Sequence, residues 1–262
     1  MADQTAVHEM DWQRRVVGRS LRSATERSVD RGARLIRAAG VVLERSDGGD
    51  ITVQDVADEA GQSLRTLYQY FESKDDLLLA LFEESMRLYA LLLERAIAEI
   101  DDPLERLAGA VLAAQRMPEV SDSGLNRGLA RLRLRLADSS PELVGRAQAA
   151  VIAVIRGLVV AAQESGQVRL ADADAATFLI LSTNTAVITA QRISSDVGVA
   201  APDRHSTVQF CLGGLQADVS SVDLVALEQR IVLPEPAPRA RRAAAKPKAK
   251  AKAKPKKRPS AK

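Results

Sequence analysis

Apolar residues recur at helical intervals through Val29, Ala33, Ile36, Gly40 and Leu43, and Ser23 with Glu26 ahead of them has capping-box spacing. The pattern predicts a first helix from Ser23, ending in the turn residues Asp47-Gly48-Gly49-Asp50. Thr52 with Asp55 predicts a short helix through Ala60 that Gly61 stops, and Ser63 with Thr66 opens another, Leu64 to Phe71. Ser73 with Asp76 then caps a long helix to about Ile100. Beyond Pro103 the periodicity predicts helices to about Met117, from Ser140-Pro141-Glu142 to Gly166, from Asp172 to about Ser195, and from Pro202 to about Gly213. A polar loop is expected from Glu119 to Gly124.

One segment is ambiguous. Arg131-Leu132-Arg133-Leu134-Arg135-Leu136 alternates with period two, which by itself argues strand. Leu125, Leu129, Leu132 and Leu136 also fit helical spacing, and a lone strand would have no partner, so it is read as helix. Proline placement agrees: only Pro103, Pro118, Pro141 and Pro202 precede Pro234, each suited to a helix end. With 3% aromatic residues and Ala, Leu, Arg and Glu dominant, the 262-residue chain is expected to be all-α.

Charge adds a boundary that periodicity does not show. Twelve Lys or Arg and no acid lie from Pro238 to Lys262, which leaves 25 basic against 34 acidic residues before them, a net −9. An acidic body thus ends in a Lys/Ala/Pro-rich tail, expected to be disordered and to seek a polyanion. Cys211 is the single cysteine, so no disulfide forms within the chain and no thiolate cluster holds zinc. Residues Met1 to Met10 carry Asp3 and Glu9 without an apolar run, so no secretory signal is expected. The longest apolar stretch, Ala149 to Ala162, is interrupted by Arg156 and short of the roughly 20 residues a spanning helix needs, so no membrane span is expected.

Two short helices around a tight turn after a longer helix make a helix-turn-helix arrangement. The run Thr52-Val53-Gln54-Asp55-Val56-Ala57-Asp58-Glu59-Ala60-Gly61-Gln62-Ser63-Leu64-Arg65-Thr66-Leu67-Tyr68-Gln69-Tyr70-Phe71-Glu72-Ser73-Lys74-Asp75-Asp76-Leu77 resembles the signature of TetR-type repressors. The resemblance covers about Val29 to Phe82 and implies that Thr52, Tyr68, Tyr70 and Lys74 hold the DNA backbone. The alternative for the tyrosines is that they finish a small core. Gln62 and Arg65 depart from the usual pattern. Arg65 near the start of a recognition helix has the fork to pair with guanine, while Leu64 suits a thymine methyl and Gln69 is a further base reader. Gln62, Ser63 and Thr66 complete the candidate DNA surface. Trp12 with Arg14, Arg15, Arg19 and Arg22 forms a basic extension ahead of helix one, either a DNA-reaching arm or a solvated segment.

The domain map that follows is residues 1–22 as a basic extension, 23–74 as the DNA-binding domain, 75–233 as a helical ligand-binding and dimerisation domain, and 234–262 as the tail. The resemblance implies a homodimer formed by the last two long helices. Ser182, Ala186, Ala190 and Ile193 offer a narrow face for it, or for an intrachain contact. Leu92, Val111, Ile155, Phe178 and Asn184 are candidate ligand-cavity residues, and the apolar four are equally ordinary core. Arg131, Arg133 and Arg135 either meet an acidic ligand group or form a solvated face.

Three functions are weighed. The reading adopted is a cytoplasmic, nucleoid-associated dimeric regulator, a repressor released from a palindromic operator by a small molecule, with no cofactor. An enzyme is disfavoured because His8 and His205 are the only histidines and no phosphate-loop, dinucleotide or nucleophile-elbow motif is present. The third is an architectural DNA-binding protein acting through its basic tail, whose Ala245 to Arg258 resembles the tails of histone-like proteins.

Overall fold

The computed structural model describes residues 11–120, 124–139, 141–170, 172–192 and 201–234. Among them the chain is all-helical. Helix α1 spans Asp11–Arg45, α2 Val53–Ala60, α3 Leu64–Tyr70 and α4 Lys74–Ala96. They are followed by α5 Pro103–Val120, α6 Gly124–Ser139, α7 Pro141–Ala147 and α8 Ala149–Glu164. The last three are α9 Ala173–Arg192, α10 Arg204–Gly214 and α11 Leu224–Arg230, with a 3₁₀ turn at Val219–Ser221.

The local signals at the short helices act as their spacing predicts. Thr52 Oγ1 accepts from the Asp55 N–H at 3.1 Å, and Asp55 Oδ2 accepts from the Thr52 N–H at 3.3 Å, a reciprocal capping box. Gly61 terminates α2 in the left-handed region with φ 62°, where a Cβ would be strained. Ser63 caps α3 by accepting from the Thr66 N–H, and Ser73 caps α4 by accepting from the Asp76 N–H. The Arg/Leu alternation at 131–136 is helical within α6, its leucines at 129, 132 and 136 turned inward.

Several boundaries differ from those expected. Helix α1 starts at Asp11, so Ser23 is interior to it rather than at its N-terminus; Arg14, Arg15, Arg19 and Arg22 lie on the helix rather than ahead of it. Helix α5 continues to Val120, through the start of the expected polar loop. The single helix expected from Pro141 to Gly166 is two helices meeting at 60°, α7 and α8, with Gln148 between them. Helix α11 and the 3₁₀ turn were not foreseen. They are short, each opened by an aspartate, Asp218 or Asp223, that accepts from the following N–H groups.

Two hydrophobic cores organise the chain. The first joins Leu35, Ala39 and Leu43 of α1, Val56 and Ala57 of α2, Leu67 of α3 and Leu77, Leu81 and Phe82 of α4. It also takes in Leu129, Leu132 and Leu136 of α6 and Val144 and Ala147 of α7. The second is built around α5, whose Leu104, Leu107, Val111, Leu112 and Met117 are buried against the rear of α4 and helices α8 to α11. Helix α9 over Ala173–Gln191 is apolar and long enough to cross a membrane, a property the sequence reading missed by weighing only continuous apolar runs. It packs through one face on α5, α8 and α10.

Candidate nucleic-acid interface

The capped turn between α2 and α3 fixes which side of α3 looks outward. Leu67 is fully buried beneath the helix and Phe71 closes its end, leaving Arg65, Tyr68 and Gln69 on the exposed side. The spacing, three and four residues from Arg65, places the three on one face. Tyr68 is 50% exposed, and Arg65 makes no hydrogen bond or ion pair among the described residues.

The remaining candidates separate by what their side chains already touch. Thr52 Oγ1 donates to Asp55 Oδ2 at 2.6 Å, so its only hydroxyl proton is spent inside the cap. Ser63 Oγ and Thr66 Oγ1 pair with each other at 2.8 Å. Gln62 turns its amide inward, Nε2 donating to the Arg31 carbonyl at 3.4 Å. This long hydrogen bond ties the turn to α1. Leu64 and Tyr70 both pack on the first core, so the two tyrosines part company, Tyr68 outward and Tyr70 inward. Lys74 begins α4, half-buried, its ammonium 3.8 Å from Asp50.

In the second core, Val111 and Ile155 are buried and Leu92 packs at its edge. Phe178 is not among its packed residues. It projects from the outer side of α9, 69% exposed, because the inward register of that helix is taken by Ala176, Thr177, Ile180, Asn184 and Val187. Asn184 is buried with its Oδ1 unpartnered. Gln115 on α5, which the sequence reading passed over, is buried with both Oε1 and Nε2 unpartnered. A lone amide inside an apolar helical stretch was the signal available for it.

Two titratable groups away from α3 are shifted by burial. Burial pushes the Cys211 thiol up to about 11, so it stays protonated and unreactive near neutral pH. Burial likewise raises the Tyr89 phenol. His205 Nε2 lies 2.8 Å from Glu228 Oε2, with Arg204 on the other carboxylate oxygen at 2.7 Å, a brace between α10 and α11. Among the described residues no group of three or more His, Cys, Asp or Glu side chains is placed to hold a metal ion. His8 lies outside the described residues.

A capped two-helix turn with an outward basic, phenolic and amide face on its second helix defines a helix-turn-helix arrangement. Residues 35–81 match the family of bacterial regulatory proteins, tetR family. Over those residues the chain is similar to that family. Over 127 residues it is 33% identical to the HTH-type transcriptional regulator EthR of Mycolicibacterium smegmatis, a match that takes in 47% of this chain. The chain spans about half of that relative's length, 55%. Among solved structures it resembles RolR in complex with resorcinol (TM-score 0.60, 19% identity), over 81% of this chain and 100% of that one. It also resembles the transcriptional regulator FadR of Bacillus subtilis in complex with stearoyl-CoA (TM-score 0.55, 22% identity), over 70% of this chain and 98% of that one. These two likenesses concern the fold.

Proposed function

We propose that the protein is a dimeric transcriptional regulator that represses from a palindromic operator and is released by a small molecule bound in the second core. The observation that carries the reading is the exposed face of α3, Arg65, Tyr68 and Gln69, which is set by caps and turn rather than by contacts of its own. Arg65 and Gln69 have the donor patterns for base edges, and Tyr68 and Lys74 suit phosphates. Thr52, Ser63 and Thr66 contribute by fixing the helices, Leu64 and Tyr70 by packing beneath them.

Dimerisation is supported by what α9 and α10 leave uncovered. Phe178, Ser182, Ala186 and Ala190 repeat every four residues along α9, all exposed. On α10 Phe210 is 70% exposed, and nothing stands within 4 Å of where a Cβ on Gly213 would lie, so a second helix can approach closely. Two such helices from each subunit make a four-helix bundle. Ile193 of the expected face lies outside the described residues. The effector is supported by the unpartnered amides of Gln115 and Asn184, which a polar group on an otherwise apolar molecule would satisfy. In relatives of the fold, RolR holds resorcinol and FadR stearoyl-CoA, each a molecule with both apolar and polar parts.

Footprinting on DNA selected from random sequence tests the reading. A protected site with two-fold symmetry is expected, with Phe210→Asp yielding monomer in sedimentation and losing the symmetric footprint. Recovery of no preferred sequence would favour the tail-driven architectural reading instead.

A further inference from the structure

We propose that the cleft between the α1–α2 turn, the first turn of α4 and the face of α6 that carries Gly128, Arg131, Leu132 and Arg135 binds a small organic carboxylate. A cavity of about 250 Å³ opens there, and none of its lining residues belongs to the second core. Its floor is apolar, formed by the buried side chains of Leu43, Ile51, Leu78 and Leu132. Its rim is cationic. Lys74 comes from α4, while Arg131 and Arg135, four residues apart and so on one face, come from α6. Asp50 is the one acid of the lining, and its carboxylate is 96% exposed, 3.8 Å from Lys74.

The way these cations are held leaves them able to take an anion. Arg131 Nη1 donates to the Gly48 carbonyl at 2.6 Å, one bond from a group with five N–H donors, so its fork stands at the cleft mouth already oriented. Arg135 meets Asp75 Oδ1 at 3.1 Å in a half-exposed pair, which solvent weakens and a better-placed carboxylate displaces at little cost. A planar guanidinium matches a carboxylate with two parallel hydrogen bonds. The apolar floor rewards an attached ring or short chain, which inorganic phosphate lacks. The volume lies below the usual range for drug-sized ligands, so the occupant is compact. Binding rests on the cleft alone; only its effect on DNA, through Lys74, rests on the regulatory reading.

Calorimetric titration of the full chain with benzoate and butyrate at low salt, in the absence of DNA, tests the site. Inorganic phosphate and neutral benzamide serve as comparators. At least one carboxylate is expected to bind, with Arg131→Gln and Arg135→Gln each weakening it about tenfold or more, the scale of one charge-assisted hydrogen bond. Arg133→Gln, on the other side of α6, is expected to leave affinity unchanged. If Arg131→Gln fails to fold because it loses the Gly48 tie, Arg135→Gln and Lys74→Gln carry the test. No binding of either carboxylate, phosphate binding as tight as theirs, or loss-free binding by the folded variants would overturn the assignment. Because DNA is absent, a failed operator experiment leaves this result standing.

Discussion

Gly48 and Gly128 approach so closely that a Cβ added to Gly48 would lie 2.6 Å from the Gly128 backbone nitrogen. Gly48 also has φ 75°, so the turn between α1 and α2 needs glycine twice over, for its own backbone and for α6. Arg127 pairs with Asp47 beside it, and Arg131 reaches the Gly48 carbonyl. The docking makes α6 a wall of the first core although Arg127 lies 80 residues beyond Asp47, and that core is correspondingly discontinuous in sequence.

Gly48→Ala is expected to destabilise the chain by about 1–3 kcal/mol, since it adds a left-handed penalty to an overpacked contact against backbone. Gly61→Ala, where no atom stands within 4 Å, suffers the backbone penalty alone and is expected to cost less. Thermal unfolding of the two variants checks the order, and a reversed order would mean that the turn moves away from α6 at little cost.

On the DNA face the expected division is between reading and holding. Arg65→Ala should cost about 1–3 kcal/mol on the preferred site and relax selectivity at one base position per half-site. Tyr68→Phe should weaken binding to all sequences alike. Thr52→Ala should lower stability by about 1 kcal/mol through the lost cap, and its DNA affinity should fall only as far as folding does. Fluorescence anisotropy on specific and random duplexes separates these cases; equal losses on both for Arg65→Ala would make it a phosphate contact.

The helices that carry the proposed DNA face were legible because their signals are local. Thr52 with Asp55, Gly61, Ser63 and Ser73 each act within four residues, so spacing alone places α2, α3 and the start of α4. What spacing could not show was direction. Tyr68 and Tyr70 look equivalent in sequence, yet two residues along a helix is nearly opposite in orientation, and the first core takes Tyr70. Phe178 likewise reads as interior by its chemistry, but α9 already has an inward row, and a helix presents a ligand with only one face at a time. The break at Gln148 has no proline or glycine at the hinge to announce it; α7 belongs to the first core and most of α8 to the second.

Glu228 joins α11 to α10 and α5, its Oε1 2.7 Å from Arg204 and 3.9 Å from Arg116. Burial alone would raise its carboxyl, but hydrogen bonds from Arg204 and His205 and the charges behind them outweigh that, and the net direction is down from the ordinary value of 4.5. A lowered folded value means that the brace stabilises fully above the ordinary value and loses its contribution as pH falls through the folded one. Glu228→Gln is therefore expected to lower Tm near neutral pH, with the gap to the natural chain narrowing as the solution is acidified below about pH 4. A gap that stays constant with pH would show that the side chain acts through packing alone.

The basic tail from Pro238 to Lys262 lies outside the described residues, and its expected role follows from charge. Twelve positive charges spaced by Ala and Pro offer little apolar surface, and tethered beside the proposed DNA-bound dimer they are expected to meet flanking phosphates at high effective concentration. Each phosphate neutralised contributes about 0.9 to the slope of log affinity against log salt, so engagement of half of one tail steepens it by about five. The body before the tail, at net −9, competes for the same charges at low salt, where the gain should be smallest relative to that ideal. Truncation after Ala237 is expected to flatten the salt dependence and weaken random-DNA binding while leaving the ranking of operator variants unchanged, because phosphates carry no sequence information. An identical slope with and without the tail would remove DNA as its partner, and a changed ranking would mean that the tail reads groove shape rather than charge alone.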